Sequence, residues 1–339
     1  MLVKIYVFFI SFLTNIVFRV ISDKKQIFID KIDENKPQKV HEEHVPRIGG
    51  IGIFIAFSIF SIHYLQFSYY PMLFLLSSLP IIFIGILEDY KRNINQKVRL
   101  LFMSIGTIFS IILLNNIIYS SGFFNFPIYI SIFFTIFALV GITNAINMID
   151  GFNGLASGVI IITLISFIYV LNKFGDTTII EICYALLFAT LGFFVLNFPF
   201  GKIFLGDGGA YFLGFTIGII SILMSNTYKN ISPWFPLLIL AYPVVDVLFS
   251  IFRRVFIHKR SPFSPDKEHL HSLIYRVVTK SNWLTSVFIF AIIIPFNIFA
   301  ILNYNNHLNL LFGFLVFVSI YIIIYFYLMR NLKYEVKKA

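Results

Sequence analysis

The polar segment Asn144-Ala-Ile-Asn-Met-Ile-Asp-Gly-Phe-Asn-Gly154 lies between two strongly apolar segments, Ile128–Val140 and Val159–Val170. Amides and carboxylates are costly beside a lipid bilayer unless they have partners or ligands. Two further polar sites, Glu88-Asp89 and Gly206-Asp-Gly-Gly209, also adjoin apolar runs. The pattern predicts a membrane protein whose polar groups gather at a functional site.

Composition agrees with this prediction. Of the 339 residues, 58% are hydrophobic, 12% are charged and 43 are Phe, a mixture too apolar for a soluble domain. The apolar runs approach the roughly 20 residues that a membrane-spanning helix needs, and they lack the alternation of outer-membrane strands. We expect one all-α polytopic membrane domain over residues 1–339, with about eleven spans: 2–22, 49–67, 70–87, 99–118, 127–144, 156–172, 178–197, 211–226, 233–252, 283–303 and 308–329.

The basic residues orient these spans. Of the 26 Lys and Arg residues, 22 fall in alternate loops and the tail, whereas only Lys4, Lys173 and Lys229 fall on the opposite side. Because cytoplasmic loops are rich in Lys and Arg, we predict the N-terminus outside and the C-terminus inside. The net charge of +10 then reflects topology and not nucleic-acid binding. The first span lacks a small-residue cleavage site and is interpreted as a retained anchor. A single cysteine, Cys183, excludes an intrachain disulfide.

Every unusual polar motif falls on the predicted cytoplasmic side, which favours an enzyme that uses a cytosolic substrate. A transporter is the alternative, and it needs polar groups near the middle of the membrane. Only Asp246, inside the ninth span, partly fits that alternative.

Four polar residues recur at intervals of three: Asn144, Asn147, Asp150 and Asn153. This spacing predicts one face of a helix. Gly151 and Gly154 would then end the helix and let a ligand approach the backbone. The alternative is a polar loop with ordinary capping by Asn and Asp.

Two acidic motifs suggest a cation. Glu88 and Asp89 close the third span, and a nearby cation would relieve their repulsion; the alternative is a solvated pair at a helix end. Asp207, within Phe204–Gly209, precedes a helix that we expect to start near Ala210. Backbone N–H groups there would attract phosphate, and Asp207 would hold Mg²⁺. A glycine-rich turn with an N-cap Asp is the alternative.

The predicted cytoplasmic loop 253–282 is basic and contains His269 and His271. A His-x-His pair can bind metal, phosphate or sugar, but a zinc site would need more ligands. The alternative is a loop that faces anionic lipid.

Together these motifs resemble the polyprenyl-phosphate N-acetylhexosamine-1-phosphate transferase family. The resemblance extends from about Lys39 to His271, and the motifs follow one another in the family's order. Glu88-Asp89 stands where the family usually has Asp-Asp, and Asn153 replaces a frequent Asp. Lys39-Val-His41 and Pro46-Arg-Ile-Gly-Gly50 are similar to the family's first cytoplasmic loop, and Phe204–Gly209 is similar to its Gly-Asp loop. Ser261–His271 is similar to the sugar-recognition loop of the simple-sugar branch.

The resemblance implies transfer of an N-acetylhexosamine-1-phosphate from a UDP-sugar to undecaprenyl phosphate, with release of UMP. The reaction would occur at the cytoplasmic face of the bacterial inner membrane and initiate a cell-envelope glycan such as O-antigen, common antigen or teichoic acid. Mg²⁺ would be the cofactor, with Mn²⁺ as a substitute. The muropeptide-precursor branch of the same family is the alternative within it. The sequence leaves open the sugar and whether the chain forms a homodimer.

The resemblance also implies the residue roles. Asp89, Glu88 and Asp207 would be catalytic, and Asp207 and Asp150 would hold the metal. The implied substrate-binding residues are Lys39, His41, Asn144, Asn147, Asp150, Asn153, Arg254, Lys259, Arg260, His269 and His271.

Overall fold

The computed structural model describes residues 2–30, 45–175, 177–261 and 268–338. Helices dominate these ranges, together with one short antiparallel pair of strands and two π-helical turns, Arg253–Ile257 and Tyr275–Thr279. The strands are β1 (Ile29–Asp30) and β2 (Val45–Pro46). The α-helices are α1 (Leu2–Lys25), α2 (Gly49–Tyr64), α3 (Tyr70–Lys91), α4 (Gln96–Leu114), α5 (Ile128–Ile149), α6 (Leu155–Leu171), α7 (Thr177–Asn197), α8 (Gly206–Thr227), α9 (Trp234–Ile239), α10 (Ala241–Phe252), α11 (Leu270–Ile274), α12 (Asn282–Leu302) and α13 (His307–Lys338).

The expected class, an all-α protein with several membrane spans, is confirmed. Within the described ranges, eight helices are long and apolar enough to cross a membrane, and α2 and α6 are shorter apolar helices. The expected ninth span is instead two helices that meet at Leu240. Pro243 explains the break, because it lacks the N–H that would bond the carbonyl of Ile239. The total of eleven spans and their orientation remain predictions.

Two helix ends differ from expectation. Helix α5 continues to Ile149, and Asp150 is its C-cap, so Asn153 lies in the following turn and not on the helix. The prediction that Asn153 shares one helical face with its three neighbours is therefore wrong. Helix α8 begins at Gly206 and not near Ala210, which places Asp207 in its first turn.

Helix α8 is the centre of the bundle, and nearly all of its residues are buried. At its start, glycines allow direct contact between backbones. A Cβ on Gly50 of α2 would overlap the backbone nitrogen of Gly209, and a Cβ on Gly85 of α3 would overlap the Cα of Gly208. The first turn of α8 is therefore held tightly between α2 and α3.

The two ends of the bundle differ in chemistry. The ends of α3 and α5 and the starts of α2, α4 and α8 meet at one end, which carries the predicted motifs. At the opposite end, Trp234 donates a hydrogen bond to the carbonyl of Ser121 at 2.9 Å, and the Ser232 hydroxyl lies 2.7 Å from Nδ1 of His307. The fold thus gathers the acidic motifs at a single end.

Candidate active site

Asp89 joins α3 to the start of α8. Its side chain is buried, and its two carboxylate oxygens accept hydrogen bonds from the backbone N–H groups of Asp207 at 2.8 Å and Gly208 at 2.9 Å. These amides belong to the first turn, where helical N–H groups have no partner within the helix. These two amides are not open to phosphate, because Asp89 occupies both. The catalytic role expected for Asp89 stays a prediction.

Arg47 links the two acidic motifs. One guanidinium nitrogen, Nη2, donates to Oδ1 of Asp207 at 3.3 Å, while Nε lies 3.6 Å from Oδ1 of Asp89. The backbone sets this position, since Phe204 donates to the carbonyl of Pro46 at 2.8 Å. Arg47 is not among the site residues expected from the sequence. It could have been found from the Pro46–Gly50 motif, to which it belongs.

Glu88 faces away from Asp89 and toward α4. Its Oε2 accepts a hydrogen bond from the backbone of Ile94 at 2.9 Å, and its Oε1 lies 4.0 Å from Nη1 of Arg99. The same Arg99 nitrogen donates to the hydroxyl of Tyr211 at 3.2 Å and lies 3.9 Å from Oδ2 of Asp207. Glu88 therefore holds the turn after α3. Glu is one methylene longer than the Asp that the resembled family usually has at position 88. This extra length lets the Glu88 carboxylate reach the backbone of Ile94.

Asp150 lies within electrostatic reach of the same groups. Burial raises the pKa of its carboxyl to about 7, while the charge of Arg47 lowers this pKa and that of Asp207 raises it. We refer to these residues together as the carboxylate cluster: Glu88, Asp89, Asp150 and Asp207, with Arg47 and Arg99. Its four carboxylates face two guanidinium groups, which leaves two negative charges when all are ionised.

The asparagines of the segment 144–154 have different surroundings. The amide nitrogen of Asn144 donates to the carbonyl of Val140, one turn earlier, at 2.9 Å. The half-buried side chain of Asn147 makes no hydrogen bond within the described part of the chain. Asn153 donates to the carbonyl of Pro199 at 2.9 Å, and its backbone N–H donates to Asn282 at 2.6 Å. Asn153 thus ties its turn to neighbouring elements, and its contact with substrate stays a prediction.

Asp246 organises the second group of polar residues. It is fully buried in α10, and its Oδ2 lies 2.7 Å from Nδ1 of His269. Its Oδ1 accepts hydrogen bonds from the backbone of Leu270 at 3.1 Å and the hydroxyl of Tyr321 at 2.8 Å. Nη2 of Arg254 lies 3.3 Å from Nε2 of His269. Because arginine only donates and a carboxylate only accepts, His269 carries its proton on Nδ1 and accepts at Nε2.

His271 is held differently, although its ring stacks on that of His269 with centroids 5.3 Å apart. Its Nδ1 lies 2.9 Å from the hydroxyl of the buried Tyr242. Its Nε2 points toward the turn after α5, where it lies 4.0 Å from the position of a Cβ on Gly151. We refer to these residues as the histidine cluster: Tyr242, Asp246, Arg254, His269 and His271. His271 is the member that reaches the neighbourhood of Asp150.

The remaining expected residues lie outside these contacts. Lys259 and Arg260 are exposed, and the backbone N–H of Arg260 donates to the carbonyl of Arg254 at 2.8 Å. Lys39 and His41 lie outside the described residues. The structure therefore brings together Glu88, Asp89, Asp150 and Asp207 in one cluster and Arg254, His269 and His271 in the other.

The side chains available as metal ligands at this site suit Mg²⁺ better than zinc. Among the described residues, no three His, Cys, Asp or Glu side chains are grouped as ligands for one metal ion. Mg²⁺ does not need such a group, since proteins usually bind it through one or two carboxylates together with substrate phosphates and water. Asp207 and Asp150 would supply two such carboxylates.

Comparison with known proteins agrees with this geometry. Residues 71–225 match the family model described as Glycosyl transferase family 4. A relative from Bacillus subtilis, named a probable undecaprenyl-phosphate N-acetylglucosaminyl 1-phosphate transferase, is 34% identical over 282 residues, 78% of this chain and 75% of its own.

Two further relatives carry the name undecaprenyl-phosphate alpha-N-acetylglucosaminyl 1-phosphate transferase. The one from Escherichia coli K12 is 31% identical over 72% of this chain and 69% of its own. The one from Thermotoga maritima is 28% identical over 82% of both chains. The region that matches the family model contains all four carboxylates of the carboxylate cluster. The chain belongs to glycosyl transferase family 4, as a multi-span membrane protein related to the undecaprenyl-phosphate N-acetylglucosaminyl 1-phosphate transferases.

Proposed function

We propose that this protein transfers N-acetylhexosamine-1-phosphate from a UDP-sugar to undecaprenyl phosphate and releases UMP. The active site would face the cytoplasm, and the product would begin a lipid-linked glycan of the cell envelope. The names of the relatives support the acceptor and the N-acetylglucosamine group. UDP as the carrier of the sugar is our own inference, since the nucleotide supplies the diphosphate that this cluster is suited to bind.

One observation carries the proposal: a carboxylate cluster with two guanidinium groups lies at the ends of membrane-spanning helices, opposite His271. The carboxylates of Asp150 and Asp207 suit a divalent cation, and the guanidinium of Arg47 suits a phosphate oxygen. Arg254 and His271 come from the other side of the site. Such a set fits a diphosphate better than a neutral substrate.

Mg²⁺ would be held by Asp207 and Asp150, with Mn²⁺ as a substitute. When bound, the cation would neutralise charge on the diphosphate as the transfer proceeds. The protein's own groups have separate tasks. Asp89 fixes the start of α8 and thereby the position of Asp207, while Arg47 and Arg99 balance the carboxylates.

The chemistry requires little from a general base. A phosphate monoester is already largely dianionic at pH 7, because its second pKa is about 6. An oxygen of the lipid phosphate would attack the sugar-bearing phosphorus, and the bond to the bridging oxygen would break, so that UMP leaves with the electron pair. Positioning and charge balance are then the main contributions of the protein.

The transport alternative loses its support in the structure. Asp246 was the ionisable residue that favoured it, and this residue, in the middle of α10, is hydrogen-bonded to His269, Leu270 and Tyr321. It therefore belongs to the histidine cluster and not to a pathway through the membrane.

The test is transfer of radiolabelled sugar phosphate to undecaprenyl phosphate by purified protein with Mg²⁺. The donor panel should include UDP-N-acetylglucosamine, other UDP-N-acetylhexosamines and UDP-muramoyl-pentapeptide, which separates the two branches. We expect labelled lipid and UMP with the wild type, loss of both with Asp207→Asn, and full activity with Asp23→Asn, whose carboxylate pairs with Arg19 at an exposed position. Folded wild-type protein that transfers none of these sugars would refute the proposal.

A further inference from the structure

Arg47 is the nearer of two arginines that contact Asp207. Its Nη2 donates to Oδ1 of Asp207 at 3.3 Å, whereas Nη1 of Arg99 lies 3.9 Å from Oδ2. The Nε of Arg47 also approaches Asp89 at 3.6 Å. One guanidinium group thus acts on two carboxylates, and Asp207 is the one that we expect to hold a divalent cation.

A divalent cation at Asp207 must share this carboxylate with Arg47, the closer of its two arginine partners. Like charges a few ångströms apart repel, and the repulsion is stronger in a partly buried site than in water. Arg47 therefore lowers the affinity of the site for a divalent cation. The same repulsion favours a ligand that brings negative charge, because a diphosphate interacts favourably with both cations.

Exposure separates Arg47 from its partners. Its side chain is 27% exposed, whereas those of Asp89 and Asp207 are 4% and 10% exposed. Arg47 is therefore the member of this group that a ligand from solvent can most readily reach. The fork of an arginine also matches two phosphate oxygens, a geometry that a lysine lacks.

We propose that Arg47 sets the cation affinity of the carboxylate cluster and binds the diphosphate of the donor, so that cation and donor bind together. The first half concerns the protein and the cation alone. The second half rests on the proposed function. In this account Arg47 touches substrate, while Asp89 positions both Arg47 and the first turn of α8.

The experiment compares the wild type with Arg47→Gln and Arg47→Lys in detergent. Binding of Mn²⁺ is followed by the loss of the free-ion signal in electron paramagnetic resonance, without substrate. Arg47→Gln should bind Mn²⁺ at least about tenfold more tightly, because a neighbouring positive charge is gone. Arg47→Lys should bind Mn²⁺ as the wild type does, because it keeps the charge. Asp207→Asn should weaken binding and so identify the site.

The second readout is the KM for UDP-N-acetylglucosamine in the transfer assay. Both variants should raise this KM at least about tenfold, because neither offers the arginine fork. A cation affinity that rises while donor affinity falls is not a consequence of misfolding, which weakens both. Arg19→Gln, at the exposed pair with Asp23, is the matched control and should change neither quantity.

Unchanged or weaker Mn²⁺ binding by Arg47→Gln would overturn the first half of the proposal, and an unchanged KM in both variants would overturn the second. If Arg47→Gln does not fold, Arg47→Met removes the same charge and decides the first half in its place, while the KM of Arg47→Lys decides the second. A wild type that binds Mn²⁺ but forms no labelled lipid would refute the proposed function, and the Mn²⁺ comparison would still decide the first half.

Discussion

Asp246→Asn tests whether the histidine cluster works through the bonds that Asp246 makes. The substitution keeps the shape of the side chain and one oxygen, which retains the contacts with Leu270 and Tyr321. At the other position an NH₂ group would face Nδ1–H of His269, so that two donors oppose each other at 2.7 Å. His269 then has to move its proton to Nε2, where the guanidinium of Arg254 also donates.

The size of the effect follows from these bonds. A hydrogen bond to a charged group contributes about 1.5–3 kcal/mol, so we expect kcat/KM to fall by about 10- to 100-fold in Asp246→Asn. Asp246→Ala would also leave the buried N–H of Leu270 and hydroxyl of Tyr321 without their acceptor. Each unsatisfied group costs about 1–3 kcal/mol, so this variant should lose about 2–6 kcal/mol more in stability.

The assay is the initial rate of labelled-lipid formation at varied donor concentration, with the melting temperature of each variant measured in parallel. We expect Asp246→Asn to melt at a lower temperature than the wild type, because the bond to His269 is lost, but to stay folded at the assay temperature. Its KM for the donor should rise, because Arg254 and His271 are expected to contact the donor. Wild-type kinetics in Asp246→Asn would refute the reasoning. So would equal losses of activity in Asp246→Asn and in the exposed control Asp23→Asn.

Three further results are expected. In EDTA, Asp150→Asn should raise the melting temperature most at pH 8, less at pH 5 and little at pH 4. Burial raises the pKa of Asp150 from 3.8 to about 7, so the wild type loses stability as the pH rises through this interval, whereas the amide does not titrate. Gly85→Ala should lower stability by about 2 kcal/mol or more, measured by thermal melting, because its Cβ would overlap the Cα of Gly208; an unchanged melting temperature would contradict this contact. Glu88→Asp should keep the charge but lose the bond to Ile94, costing about 1 kcal/mol of stability, and higher transfer activity than the wild type would instead show that the unusual Glu impairs catalysis.

The positions of the helices could be predicted because the hydrocarbon core of a membrane offers the backbone no water to hydrogen-bond with. A long apolar run must satisfy its own polar groups, and a helix does so within one segment. Predicted spans 178–197 and 283–303 therefore agree within one residue with Thr177–Asn197 and Asn282–Leu302. The break at Leu240 was missed, since membrane helices tolerate proline and the sequence alone does not show whether a helix continues past one.

The site was predictable in its residue types and less so in its contacts. The acidic motifs do converge, as their common side of the predicted membrane required. The hydrogen bonds between the amides of α8 and Asp89 join residues more than 100 positions apart, and no local sequence pattern predicts them. Likewise, the spacing of His269 and His271 does not reveal that one binds Asp246 and the other Tyr242. Arg47 was overlooked because its role depends on partners in α3 and α8.

The glycine contacts around α8 have a consequence for how donor preference changes among related proteins. With Gly50 and Gly85 pressed against its first turn, α8 has no room for larger side chains or for a shift along either neighbour. Under the proposed function, the residues that bind the diphosphate would have little room to change while the sugar varies. We expect new specificities to arise in the segment 253–282, which bears His269 and His271 and contains no glycine. Exchanging that segment between relatives is accordingly the change that we expect to move sugar preference without rebuilding the rest of the protein.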